Sequence, residues 1–584
     1  MRIRIFVRFW GISALLSCLF FVPSCSSYTP KKNEVKVHEL SDAEMLNPIC
    51  YTDASAGYIL PNIFQSLLAI DFKTLELVPV LAQSRPLIEK IEGGKLKITY
   101  SIRKEAKWDN GTPVTPKDVE FTIKVIKNPK VNNQHVKPYY EFIEDFVHYP
   151  DDPQKFTLLC KETYILAEAS SGDYGILPIY AYDPKGLMSD FTIPQLNSEK
   201  DKLANDPKIN EFATDFNSEK RQREKDFIIG SGAYKLESWT TGQQIVLEKK
   251  KDWWGDALKE VNSRFQANAT KLVYKTINDM TSAIVALKAG NVDVMYGIKP
   301  KDFVDLPNSD KIKENFVLHT PPQLAYLYFG INLKNPKFGD KKTRQALAYL
   351  VDADKMIQTV YYGLAERVVG FIHPSNKKNL NTDLKPRPFD PEKAKQLLAE
   401  AGWKDSNGDG TLDNTINGKR EDFSIIFSIN QGNDMRKAMA LMFQEEARKV
   451  GIKVDVVPQD WAVFLDNLKN HNFEMYCGSW IGTPTPNDPK QIYHSESSLN
   501  GSNYVSFGTP ESDAVIDSIR VELDEDKRAA LYKKLQAILY DEVSYIYLFA
   551  PTERIAIHKR FSNAETSVMR PGFWEAGFQL AGQE

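Results

Sequence analysis

From Lys95 to Arg103 the chain reads KLKITYSIR, in which Leu96, Ile98, Tyr100 and Ile102 alternate with polar neighbours. A period of two puts the apolar set on one face, which predicts a strand half buried against a core. Asp109, Asn110 and Gly111 tolerate positive φ and predict a reversal of the chain. Beyond it Thr115 can cap a helix that opens with Pro116, with Asp118 near the free N–H groups of the first turn. Val119, Ile123 and Ile126 share one face of that helix, and Asn128-Pro129 stops it. Nothing in this strand, turn and helix is arranged for chemistry; it is a joint in a scaffold.

The same patterns recur along the chain. VEFTIKVIK, TSAIVALKAG, TRQALAYLVDADKMIQTV, PEKAKQLLAEAG, MRKAMALMFQEEARKVG and EDKRAALYKKLQAILYDE read as amphipathic helices, several closed by Gly or opened by Pro. FSIIFSIN and IKVDVVP flank the fifth of these as strands, an order that predicts a parallel crossover unit in an α/β protein. The polar stretch from Ile193 to Asp226, which contains KRQREK, reads as a solvated surface insertion.

The first residues change that picture. Arg2, Arg4 and Arg8 precede an apolar run from Phe9 to Val22, shorter than the ~20 residues of a membrane span. The run ends in VPSC, and a small residue before a cysteine is the pattern of a bacterial lipoprotein signal. Residues 1–24 are therefore expected to be a removed signal peptide and Cys25 the acylated first residue, with the protein lipid-anchored to the cell envelope and facing the periplasm.

Composition narrows the function classes. Charged residues are 26% of the chain, close to an ordinary globular protein, and the formal charge is −3, or −6 once the three signal arginines are gone. Such a balance argues against nucleic acid as a partner. Cys50, Cys160 and Cys477 are far apart and odd in number, so at most one disulfide can form, and their spacing matches no metal site. The eight histidines are scattered and no H-E-x-x-H, G-x-S-x-G, Walker A or G-x-G-x-x-G motif occurs, so an exported enzyme is a minor alternative and no cofactor or metal is expected. Asp405, Asn407, Asp409, Gly410 and Asp413 match the start of an EF-hand loop, but its twelfth position is Ile416 and the bidentate Glu is missing; a polar hairpin is the favoured reading.

Several separated motifs then converge. LNPICYTDASAGYILPNIFQSLLAID, PVLAQS, the strand, DNGTP turn and capped helix described above, GSGAYKLESWTTGQQIVLEKKKDWWG, LKAGNVDVMYGI, FGINLKNPKFGDKKTRQALAYLVD, FDPEKAKQLLAEAGW and SNYVSFGTPESDAVI occur in order. Together they resemble the extracellular solute-binding proteins of family 5, the oligopeptide, dipeptide and nickel type. The resemblance implies an α/β, two-lobed periplasmic-binding-protein fold (type II, cluster C-like) with an extra domain inserted in the first lobe. Carried over, lobe I takes residues 26–66, about 225–315 and about 540–584, the extra domain 67–224, and lobe II 316–539. It also implies a monomer that closes on its solute about a hinge and is read by an inner-membrane ABC permease.

The resemblance assigns site residues as well. Trp480 in MYCGSWIGTPTPNDP matches a tryptophan that peptide-binding members follow, three positions on, with an aspartate for the peptide amino terminus. That position is Thr483, and the basic residue often found three positions earlier is Cys477. Trp461 matches a second cleft tryptophan, and Asn503 and Tyr504 are further candidates. In the first lobe Tyr51, Asp53 and Ser55 could face the cleft, with Asp53 as a substitute partner for an amine. A small peptide or peptide-like solute is the expected ligand; a sugar, a metal chelate, or a surface role without transport are the alternatives.

Overall fold

The computed structural model describes residues 33–582; the leader and the acylation site expected at Cys25 lie outside them. Among the described residues no helix is long and apolar enough to cross a membrane.

Three sheets organise the chain. The first has seven strands in the order Phe316–His319, Ile555–His558, Val294–Met295, Glu34–Glu39, Lys271–Thr276, Gln244–Lys249, Tyr234–Thr240. Glu34–Glu39 runs parallel to both of its neighbours, and Val35 to Glu39 are all buried, as a strand covered on both faces must be. An antiparallel four-stranded sheet follows Leu87–Lys90, Leu96–Ser101, Lys155–Cys160 and Ile143–His148. Its second strand is the one predicted from KLKITYSIR, with Leu96, Ile98 and Tyr100 turned into the core.

The helix beyond the turn spans Pro116–Lys127, and Val119, Ile123 and Ile126 are fully buried. Thr115 is its N-cap, as expected, in a capping box with Asp118. Asp118 Oδ2 accepts from the Thr115 N–H and hydroxyl, both at 2.9 Å, and from Trp108 Nε1 at 3.4 Å, while Oδ1 accepts from the Ile179 N–H at 3.2 Å. One carboxylate thus ties turn, helix and a distant loop together, which is what a joint needs.

Two expectations need correction. Residues 193–226 are not a solvated insertion: Ile209, Phe212 and Phe216 of the helix Pro207–Phe216 are buried, Phe212 meets Phe121 edge-on at 5.9 Å, and Arg221 is buried against Asp215 at 2.8 Å. TRQALAYLVDADKMIQTV forms two helices, Lys341–Tyr349 and Ala353–Val360, because Asp352 caps the second by accepting from the Lys355 N–H at 2.9 Å.

The second large sheet has six strands, ordered Ala365–Arg367, Tyr545–Pro551, Ala325–Ile331, Met475–Ile481, Ser424–Asn430, Lys453–Gln459. Its last two strands are parallel and joined by the helix Asp434–Arg448, the crossover predicted from the pattern. Strand Phe316–His319 belongs to the first sheet and Tyr545–Pro551 to the second, each following its hydrogen-bonding partners. The chain crosses between the two sheets at residues 320–324 and 552–554, side by side. Gln323 N–H donates to Pro551 O at 3.0 Å, Glu553 N–H to Pro321 O at 2.8 Å, and Gln323 Nε2 to Glu553 Oε2 at 2.9 Å.

Candidate functional site

Three neighbouring strands of the second sheet sort their side chains by alternation. Tyr326 and Tyr328, Tyr545 and Tyr547, and Tyr476 and Trp480 share one face; Leu327, Phe329, Ile546, Leu548, Met475 and Cys477 pack on the other. Register places Tyr328 opposite Gly478 and Tyr476 opposite Gly330. A Cβ at Gly478 would lie 2.6 Å from the Tyr328 ring, and one at Gly330 2.3 Å from Tyr476, so both glycines make room for an aromatic across the strand. The phenols bond one another: Tyr326 to Tyr493 at 2.7 Å, Tyr547 to Tyr493 at 3.2 Å, Tyr328 to Tyr476 at 3.1 Å. Burial pushes their pKa values up, and the wall is neutral.

Trp480 stands half buried at the end of its strand, stacked between Tyr328 (6.5 Å, 16°) and Tyr504 (6.2 Å, 23°). The structure therefore brings Trp480 and Tyr504 together. Trp461, 54% exposed at the start of the helix Trp461–Lys469, stacks on Phe464 at 5.8 Å, and Phe464 meets Tyr476 of the same wall. Thr483 is exposed, its hydroxyl 2.6 Å from that of Thr485. Cys477 lies on the opposite face from Trp480, wholly buried, as a residue three positions away on a strand must.

Asn503 holds its own loop. It is 1% exposed and spends its amide on His494 O (2.9 Å), Phe507 O (2.6 Å) and the Phe507 N–H (3.1 Å), closing its own loop. Asp488 accepts from Arg520 Nε at 3.0 Å and from the Tyr164 hydroxyl.

In the first half Asp53 is the N-cap of the helix Ala54–Ile59: Oδ1 accepts from the Ala56 N–H at 2.8 Å and Oδ2 from the Glu44 N–H at 3.1 Å, so each oxygen already has one partner. Ser55 is buried and donates to Glu39 Oε2 at 2.9 Å; the Tyr296 hydroxyl donates to the same oxygen at 2.7 Å. Burial pushes Glu39 up to about 8, so it is a neutral acid at pH 7. Tyr296 meets Tyr58 and Phe573 edge-on at 5.9 and 5.6 Å. Tyr51 is half buried beside Asp53 and Asp173, whose charges add to burial in raising its phenol. Asp173 was not singled out from the sequence.

Cys50, Cys160 and Cys477 are free, buried thiols. Among the described residues no three His, Cys, Asp or Glu side chains are grouped to hold a metal ion. In the polar loop Asp405 accepts from the Gly408, Asp409 and Gly410 N–H groups, and Asp413 from Ser406, so these carboxylates serve their own backbone. A neutral aromatic wall of this kind suits noncovalent capture.

Comparison with known proteins agrees. The family model described as bacterial extracellular solute-binding proteins, family 5 middle, matches residues 76–503. The oligopeptide-binding protein AppA of Bacillus subtilis is 27% identical over 565 residues, covering 94% of each chain, and the periplasmic oligopeptide-binding protein OppA of Escherichia coli is 23% identical over 504, covering 85% of this chain and 83% of its own. The structure of B. subtilis AppA in complex with a nonapeptide superposes with a TM-score of 0.67 at 26% identity, covering 94% of this chain and 99% of that one. NikA of Brucella suis in complex with Fe(III)-EDTA gives 0.73 at 20% identity, covering 94% and 99%. The fold is thus the mixed α/β fold of the periplasmic binding proteins, and the chain belongs to the bacterial extracellular solute-binding proteins, family 5, which are receptors and not enzymes.

Proposed function

We propose that this chain captures a peptide or peptide-like solute between two lobes, one built on each large sheet, and delivers it to an inner-membrane ABC permease. The observation that carries the reading is the half-buried Trp480 stacked between Tyr328 and Tyr504, a flat surface on which peptide side chains can lie. The nonapeptide held by B. subtilis AppA supports a peptide as cargo. The paired crossings at 320–324 and 552–554 supply a hinge, and closure follows if the solute bonds both lobes and so favours the closed form. Residues 67–224 form the inserted domain, and a lipid on Cys25 holds the receptor at the periplasmic face of the envelope.

Protein stripped of cargo by unfolding and refolding is to be heated with peptide pools, with sugars and with Fe(III)-EDTA. A peptide at a hundred times its Kd stabilises the fold by about 2.7 kcal/mol and raises the melting temperature. Stabilisation by a sugar or the chelate, with none by any peptide, overturns the peptide reading. Incorporation of labelled fatty acid that is lost in Cys25→Ser tests the anchor.

A further inference from the structure

A positive group on such a solute has no obvious partner beside Trp480, because Thr483 carries no charge. The carboxylates of the flanking segments are nearly all committed: Asp53 to two N–H groups, Glu39 to Ser55 and Tyr296, Asp488 to Arg520, and Glu553 to Gln323 and the Gly297 N–H.

Asp173 differs. It follows the helix Ala167–Gly172, is exposed, and accepts from the Tyr140 hydroxyl at 2.8 Å through Oδ1. Among the described residues Tyr140 is the only side chain that hydrogen-bonds it, and no lysine, arginine or histidine pairs with it. Its charge reaches four tyrosines from separate segments, Tyr51, Tyr100, Tyr140 and Tyr174, and adds to burial in raising each phenol. Tyr140 and Tyr174 meet edge-on at 5.3 Å, and the Tyr100 hydroxyl bonds Ser171 at 2.7 Å. The Tyr174 hydroxyl, on a residue 4% exposed, has no partner. Although solvent reaches Asp173, protein walls it on most sides, which pushes its pKa up to about 6.

The segment is also tied to the Trp480 loop. Tyr164 bonds Asp488, and the Ile165 N–H donates to Arg520 O at 2.9 Å. Asp173 therefore sits one short helix, about 9 Å by helical rise, from the point where this segment docks on the second half.

We infer that Asp173, walled by Tyr51, Tyr140 and Tyr174, is the subsite that takes the positive group of the solute, an ammonium or a guanidinium. An organic cation satisfies a carboxylate oxygen and a phenol oxygen by donation, and aromatic surface accepts it at small desolvation cost. The inference rests on the peptide-receptor reading given above.

Two tetrapeptide pools test it by calorimetry on the purified protein. One has acetylated amino termini and an arginine; the other has norleucine in place of the arginine. Wild type is expected to prefer the arginine pool, and Asp173→Asn to bind it at least tenfold more weakly while binding the norleucine pool within twofold of wild type. Tyr174→Phe gives a smaller loss in the same direction. A second measurement needs no variant. Between pH 7 and pH 5 the arginine stays charged and Tyr51, Tyr100, Tyr140, Tyr174 and Cys160 stay protonated; the other ionisable groups beside this wall are Glu168, paired with Arg85, and His135, whose Nε2 lies 2.9 Å from Tyr51 O. The preference is then expected to fall several-fold as Asp173 takes up its proton. Equal loss for both pools, no loss in Asp173→Asn, or a pH-independent preference overturns the subsite alone. Failure of wild type to bind either pool overturns the peptide reading, and the subsite with it.

Discussion

Tyrosine builds both sides of this molecule, to opposite ends. Behind Trp480, Tyr326, Tyr328, Tyr476, Tyr493 and Tyr547 bond one another, and although the Tyr545 hydroxyl is left over the result is an uncharged wall that holds no carboxylate. Around Asp173, four tyrosines surround one carboxylate, one of them bonds it, and the Tyr174 hydroxyl is left over. Phenols that satisfy each other make a rigid surface; phenols around a charge with no counter-ion make a receptive one.

The comparison is broken most severely at the wall. Tyr476→Ala opens a cavity under Trp480 and strands the Tyr328 hydroxyl, and is expected to cost about 4 kcal/mol, read as a lower denaturation midpoint. A Tyr476→Ala protein as stable as wild type would mean that the wall does not support the fold.

Glu39 sharpens the contrast, because it is a carboxylate whose partners are already present. The folded chain holds its proton up to about pH 8, whereas the unfolded chain releases it near the ordinary 4.5. That stabilisation is complete below pH 4.5 and is lost as pH rises through 8, by roughly 3 kcal/mol after relaxation around the charge. Glu39→Gln should flatten this part of the pH–stability curve; an unchanged slope would show that another group sets it.

Trp480→Ala is expected to weaken peptide binding by roughly ten- to a hundredfold, about 1–3 kcal/mol, with a smaller effect on melting because the ring is half exposed. The smallest effect is at the crossings. Glu553→Gln weakens the bonds to Gln323 and Gly297 and is expected to shift affinity by about 1 kcal/mol without touching either aromatic region; small-angle scattering with and without ligand would report a changed balance of open and closed forms.

The strand, turn and helix from Leu96 to Lys127 were legible because each is fixed by neighbours in sequence. The sheet boundaries were not, since Phe316–His319 and Tyr545–Pro551 are both apolar strands and only distant pairing decides which sheet each joins. Trp480 could be singled out by resemblance, whereas its stacking on Tyr504 needed the folded loop. The structural bonds of Asp53 and Asn503 were not legible, because in sequence a polar residue near a matched motif looks the same whether it caps a helix, closes a loop or meets a ligand. Asp173 acquires meaning only from Tyr51, Tyr100, Tyr140 and Tyr174, which lie in four different stretches of chain.

The three thiols have a consequence for where the protein can work. Cys50 and Cys160 are free thiols in one large packed cluster and Cys477 lies in another, and burial pushes the first two up to about 12 and the third to about 11. Each is held as an inert hydrophobe, so among the described residues no covalent cross-link has to form or be shuffled for the fold to hold. Maturation is then indifferent to the redox state of the compartment: dithiothreitol and diamide alike should leave the native protein as they found it.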